Sequence, residues 1–273
     1  MIIDAHAHFI NKSILRAKTT DETILNSIQD LTPQQGRDIW LGFMDAHNIQ
    51  QTVFMALGTG NRDFTQFINS SDRFIGLATV DPTQENAVGK LDADIKAGYS
   101  GLKLYASEGN FDVADRRAYK VYEYCAQNNL PIVIHFGVSI GNADLRFGNP
   151  LSLSPVVRYF PTVKFVIAHF GAGFFKEALM IMYGNKNVYF DTSGTNNWLD
   201  YSPFGWTLKD IFKHALKAIG SERILFGSDT HRLGDGYRTK ILEEQKAIVN
   251  ELAHDAGVQN IFYDNAKRVF KLK

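Results

Sequence analysis

The sequence predicts one α/β domain folded as a (β/α)8 TIM barrel over residues 1–273. Three observations carry this: short apolar runs recur along the whole chain, amphipathic stretches separate them, and nearly every run ends in an ionisable residue. A chain of 273 residues also has the size of one such barrel. A doubly wound open sheet is the structural alternative. No strand is followed by a G-x-G-x-x-G turn, however, and eight repeating units fit closure better.

In chain order, the first strand covers residues 2–6 and leads into a polar segment, 10–34, that contains Asn-Lys-Ser, Thr-Thr-Asp and Thr-Pro-Gln. A loop this long is uncommon in a barrel unless it is functional, so the segment reads as an inserted loop and candidate lid, with a short helix at 22–29. Helical spacing of Ile39, Trp40, Phe43, Met44 and Ala46 gives a helix over 35–47, followed by a buried strand at 52–57. The third strand, 74–80, ends in Asp81-Pro82, and the helix 85–97 stops at Gly98. Further strands fall at 100–105, 131–136, 164–170, 187–192 and 223–229. The helices that go with them are 115–128, 174–183, 208–219 and 237–253, and a capped terminal helix at 264–270 docks on the barrel.

Composition narrows the function. Hydrophobic residues make up 45% and charged residues 21%, with 29 basic side chains against 29 acidic. Zero net charge gives no electrostatic footprint for nucleic acid or an anionic membrane, so a small-molecule substrate is the expected partner. The single cysteine, Cys125, lies in the helical pattern Ala118-Tyr119-Tyr122-Cys125 and reads as core packing. The opening residues lack a basic n-region, and no apolar run approaches ~18 residues, so a cytoplasmic location is expected.

Active sites of barrels lie at the C-terminal ends of the strands. There the sequence puts His6 and His8 on the first strand, Lys103 on the fourth, His135 on the fifth, His169 on the sixth, Asp191 on the seventh and Asp229 on the eighth. Such groups are costly to desolvate unless they are paired or bound to metal. His6 and His8, two apart, share a strand face, and a metal ion is the usual reason to hold two imidazoles together. By the same alternation Asp4 falls on the face of His6, His135 on that of Val133, His169 on that of Phe165 and Ile167, and Asp229 on that of Leu225. The imidazole and carboxylate set suits zinc, manganese or iron. His47, His214 and His254 read as surface or helix-end groups, and His231 and Arg232 sit in the loop after Asp229.

The segments Asp4-Ala5-His6-Ala7-His8-Phe9, Ile134-His135-Phe136-Gly137, Ala168-His169-Phe170-Gly171 and Leu225-Phe226-Gly227-Ser228-Asp229 together resemble the amidohydrolase superfamily. The resemblance is to its amidohydrolase-related (amidohydrolase 2) branch of metal-dependent hydrolases and decarboxylases, and it covers nearly the whole chain. It implies that His6, His8, His135 and Asp229 bind one divalent ion, with zinc expected ahead of Mn2+ or Fe2+. It further implies that His169 and Asp229 are catalytic, with Asp229 taking a proton from water activated at the metal. Lys103 stands where two-metal relatives carry a carbamylated lysine. It is read here as a cationic substrate-binding residue beside one metal, as is Arg232. The expected activity is hydrolysis of a small cyclic or aromatic amide, ester or lactone. Decarboxylation of a small aromatic or unsaturated acid on the same site is the alternative, followed by a non-catalytic metal-binding barrel. Analogy with the family suggests a homodimer.

Overall fold

In the computed structural model, which describes residues 1–16, 18–139, 143–202 and 205–272, eight parallel strands follow one another in sequence order around a barrel. They are β1 (Ile2–Ala7), β2 (Ile49–Met55), β3 (Phe74–Thr79), β4 (Leu102–Tyr105), β5 (Ile132–His135), β6 (Phe165–Ile167), β7 (Val188–Asp191) and β8 (Ile224–Leu225). The seam between the last and first strands is closed by Ala5 N–H donating to Phe226 O at 2.9 Å, Asp229 N–H to His6 O at 2.8 Å and His8 N–H to Thr230 O at 2.8 Å. That seam carries three of the expected site residues.

Helices cover the outside. The segment 10–34 holds two short ones, α1 (Lys12–Leu15) and α2 (Glu22–Asn26), each capped by the residue before it, Asn11 and Asp21. Next comes α3 (Pro33–Ala46), which starts earlier than its apolar spacing suggests because Thr32 and Gln35 form a reciprocal capping box around Pro33. Then α4 (Arg62–Ile68) follows, a helix the sequence reading lacks. It is short, and its buried Phe64, Phe67 and Ile68 show little of a polar face. The remaining helices are α5 (Ala87–Lys96), α6 (Ala106–Gly109), α7 (Tyr119–Gln127), α8 (Ser154–Tyr159), α9 (Phe175–Gly184), α10 (Leu208–Ile219), α11 (Thr239–Leu252), α12 (Asp255–Gln259) and α13 (Asn265–Phe270). Among the described residues no helix is long and apolar enough to cross a membrane.

Alternation along the strands divides the core in two. Outward residues such as Phe54, Phe74, Leu104, Ile134 and Phe190 pack under the helices. Inward residues Ile3, Ala5, Val53, Met55, Val133, Val166 and Leu225 fill the barrel, whose floor is closed by Ala266, Val269 and Phe270 of α13.

Two local departures from alternation set up the mouth. In β1, Asp4 pairs with Thr52 but Ala7 pairs with Phe54, so one extra residue is inserted between them as a bulge. Below the bulge Ile3 and Ala5 face inward; above it His6 and His8 do, while Ala7 joins the outer layer. The expectation that Asp4 shares the face of His6 is therefore corrected. Its carboxylate accepts from Ser228 N–H at 2.9 Å and from the Tyr237 hydroxyl at 2.9 Å, and Tyr237 belongs to the outer layer. In β6 it is Val166 and Ala168 that face inward and Phe165 and Ile167 that face the helices, contrary to the expected face of His169. His169 reaches the mouth because the strand ends at Ile167, and left-handed backbone at His169 (φ 55°) and Phe170 (φ 52°) reverses the chain. Such backbone costs on the order of 1–3 kcal/mol per residue, a cost commonly met at functional sites.

Candidate metal centre

Three strand ends and two following segments bring the site together. His6 comes from the upper half of β1 and His8 from the residue just past it, Asp191 from the end of β7, His135 from the end of β5, His169 from the turn after β6, and Asp229 from the segment after β8. Two glycines allow the approach. A Cβ on Gly227 would stand 2.9 Å from His6 Cβ and 2.8 Å from Ser193 Cβ, and Gly194, at φ 87°, lies against His169 Nδ1.

Hydrogen bonds fix the histidine rings. His6 Nδ1 faces Asp191 Oδ2 at 2.8 Å, with Ser193 Oγ at 3.1 Å. His8 Nδ1 faces the Met55 carbonyl at 3.2 Å. The two Nε2 atoms then turn to the same carboxylate oxygen, Asp229 Oδ1, at 4.0 Å from His6 and 3.4 Å from His8. On its other side Asp229 Oδ2 accepts from Arg238 Nη1 at 3.1 Å. Across the mouth, His169 Nε2 lies 3.1 Å from His135 Nδ1, His169 Nδ1 lies 2.8 Å from Ser193 Oγ, and His135 Nε2 lies 3.2 Å from the Val138 carbonyl. Asp191 Oδ1 accepts from the backbone N–H of His169 at 2.9 Å and from the Ser193 hydroxyl, tying the two halves together.

Burial governs the charges. It pushes the imidazoles below their usual range, His6 to about 4, His169 to about 4 and His135 to about 3, with nearby cations or a second imidazole adding to the effect. They are neutral at working pH, the state in which a ring nitrogen can bind metal. Burial would raise the two carboxylates, but the imidazoles around them prevail. Asp191 is held below the usual carboxylate range by His6, and Asp229 well below it by His8, His169 and His6.

Among the described residues, two groupings bring ligand atoms within 4.8 Å of one another: His6, His8 and Asp229, and His6, His169 and Asp191. Proton accounting separates them. In the second, ring N–H and hydroxyl donors already satisfy the acceptors, since His6 Nδ1 donates to Asp191 and Ser193 bridges Asp191 to His169. In the first, with its one proton on Nδ1, neutral His6 turns a lone pair toward Asp229 Oδ1, and His8 turns its Nε2 to the same oxygen while its Nδ1 faces Met55 O. Convergent lone pairs from two imidazoles and a carboxylate suit a divalent cation of the zinc type. His135 belongs to neither grouping and borders the second through His169.

These side chains open into a cleft of about 520 Å³ that Lys103, Tyr105, Glu108, Trp198, His231 and Arg238 also line. Arg232 is not among the lining residues. It is exposed and borders a smaller pocket of about 60 Å³ between residues 27–31 and 233–235, and the arginine that lines the cleft is Arg238. The sequence reading missed Arg238, Ser193 and Glu108. Ser193 follows Asp191 by two residues and Arg238 lies in the loop that leaves β8, but neither carries a motif of its own. The segment 10–34 touches the cleft through Ile10. Its Lys18 ammonium sits 3.6 Å from Glu108 Oε2 and 4.6 Å from the centre of the Tyr105 ring.

With the geometry in place, comparison with known proteins is direct. The chain matches the family model described as Amidohydrolase over residues 3–272. A Pseudomonas putida protein assigned as a 2-pyrone-4,6-dicarboxylic acid hydrolase superposes with a TM-score of 0.68 at 21% identity, covering 100% of this chain and 98% of that one. An amidohydrolase from Burkholderia multivorans with bound zinc gives 0.70 at 14% identity, with 100% of both chains covered. A 2,6-dihydroxybenzoate decarboxylase from Rhizobium gives 0.66 at 16%, covering 99% and 98%. At these identities the likeness is one of fold. Protein fluG of Emericella nidulans is 26% identical over 105 residues, a stretch that covers 38% of this chain and 12% of that protein's length.

Proposed function

Because this chain belongs to the amidohydrolase family, whose model spans it from residue 3 to residue 272, we propose that it is a metal-dependent hydrolase of a small cyclic or aromatic amide, ester or lactone. His6, His8 and Asp229 form the core of the site, His135 supplies a fourth donor, and zinc is the ion that best suits this set. The observation that carries the reading is the convergence of His6 Nε2 and His8 Nε2 on a single carboxylate oxygen, Asp229 Oδ1. A divalent ion bound there supplies a Lewis acid that polarises a carbonyl and makes water acidic near neutral pH.

The protein's own groups do the rest. Asp229, ionised at every working pH, accepts the proton of the attacking water, and Arg238 holds its second oxygen so that Oδ1 stays turned to the histidines. His169 is neutral and fixed between Ser193 and His135, and it passes a proton to the leaving group or steadies the developing oxyanion. Asp191 fixes the His6 tautomer and so keeps Nε2 free.

Decarboxylation is the second reading, supported by the shared fold of the Rhizobium decarboxylase. The test is a screen of lactones, amides and aromatic acids with zinc-loaded and chelator-stripped protein. Hydrolysis that disappears on stripping and returns with zinc supports the proposal. Hydrolysis indifferent to the chelator overturns it, and carbon dioxide release from the acids alone selects the second reading.

A further inference from the structure

Lys103 differs from every other charged group of the cleft. Its side chain is fully buried, and among the described residues Nζ has no hydrogen-bond partner. Three carboxylates act on it, Asp191, Asp229 and Glu108, and all three are engaged elsewhere. Asp191 serves His6, Ser193 and the backbone of His169; Asp229 serves Arg238 and faces the histidine pair; Glu108 accepts from Ser139 Oγ at 2.5 Å and pairs with Lys18. The Tyr105 ring, whose centre is 5.1 Å from Nζ, gives a cation–π contact, but Lys18 shares that ring and adds a second positive charge. Burying an ammonium in this state is costly unless an anion completes it.

We infer that the missing partner of Lys103 is a carboxylate of the substrate, bound on the floor of the cleft as an anchor. The inference deepens the hydrolase reading and rests on it for the position of the reacting bond. A monoanionic carboxylate fits better than a phosphate dianion, because Asp191, Asp229 and Glu108 repel the second charge. The anchored carboxylate is also one the reaction retains. An ammonium stabilises a carboxylate more than a transition state whose charge is moving onto carbon, so pairing with Lys103 slows decarboxylation and favours cleavage of another bond.

The test measures binding to the zinc-loaded full-length chain by calorimetry, with benzoate and its neutral counterpart benzamide as probes. Wild type should bind benzoate at least tenfold more tightly than benzamide. Lys103→Met should lose that preference while its benzamide affinity stays within twofold, and Lys103→Arg should restore part of it. Zinc content and thermal melting check that each variant is folded and loaded. A benzoate preference that survives in Lys103→Met places the carboxylate elsewhere and overturns the inference. So does a carbon-13 carbamate signal from labelled bicarbonate that appears in wild type and vanishes in the variant, since the nitrogen is then already modified. The readout is binding, so repeating it on stripped protein returns the same preference even if the hydrolase reading fails.

Discussion

The two sides of the mouth are built from the same residue type and solve different problems. On the side of β5 and β6 the rings meet neutral groups and each other: His169 Nδ1 lies 2.8 Å from the Ser193 hydroxyl, whose own proton goes to Asp191, His169 Nε2 lies 3.1 Å from His135 Nδ1, and His135 Nε2 lies 3.2 Å from Val138 O. On the side of β1 and β8, His6 Nε2 and His8 Nε2 turn instead toward one ionised carboxylate oxygen, Asp229 Oδ1, at 4.0 and 3.4 Å. One side is a row of imidazoles suited to moving a proton. The other gathers three ligand atoms suited to a cation. The difference arises from what the near nitrogens face, a carboxylate oxygen at His6 and His8 but a second imidazole at His169.

The largest effect that would break this contrast is on metal binding. His6→Ala and Asp229→Ala should each lose tightly held zinc and drop hydrolysis on the order of 10³-fold or more, since several kcal/mol of charge stabilisation go with the ion. Elemental analysis that still finds one ion per chain would show that the β1–β8 side does not hold it. His169→Asn should keep the zinc and lower kcat by roughly 10²–10⁴-fold, the usual reach of acid–base catalysis. Zinc loss in that variant would place His169 among the ligands. Asp191→Asn keeps the shape but weakens the lock on the His6 tautomer, so zinc affinity should fall about 10–100-fold; competition with a chelator of known strength measures it.

The smallest effect concerns Lys103 and sharpens the contrast from beneath. Burial lowers its pKa from 10.5 to about 8, so between those values the folded chain binds fewer protons than the unfolded chain. Stability of the metal-free protein should therefore rise as pH climbs from about 8 to 10.5, by on the order of 2–3 kcal/mol at 1.36 kcal/mol per unit. Urea unfolding of wild type minus Lys103→Met isolates that gain, and equal curves would mean the ammonium is satisfied inside the fold.

Much of this was legible in the sequence, and what was not has local causes. Alternation from Val133 to His135 and from Tyr189 to Asp191 points each functional group inward, because those stretches keep the parity of a regular strand, whereas β8 ends at Leu225 and Asp229 reaches the mouth on left-handed backbone (φ 56°). The same rule misplaces Asp4 and misassigns the face of His169. A bulge inserts one residue in β1, and left-handed backbone follows β6, and neither leaves a glycine or proline at the deciding position. Helix α4 is too short for its period to show, and Thr32 with Gln35 moves the start of α3 into what reads as loop. Arg238 is found only by folding the loop after β8 back to Asp229.

Anomalous diffraction at the zinc edge from crystals of zinc-loaded protein addresses the central claim most directly. One peak should lie roughly 2.0–2.1 Å from Nε2 of both His6 and His8 and about 2.0–2.2 Å from an Asp229 oxygen. A peak bound instead by His6, His169 and Asp191, or none on the β1–β8 side, would contradict it.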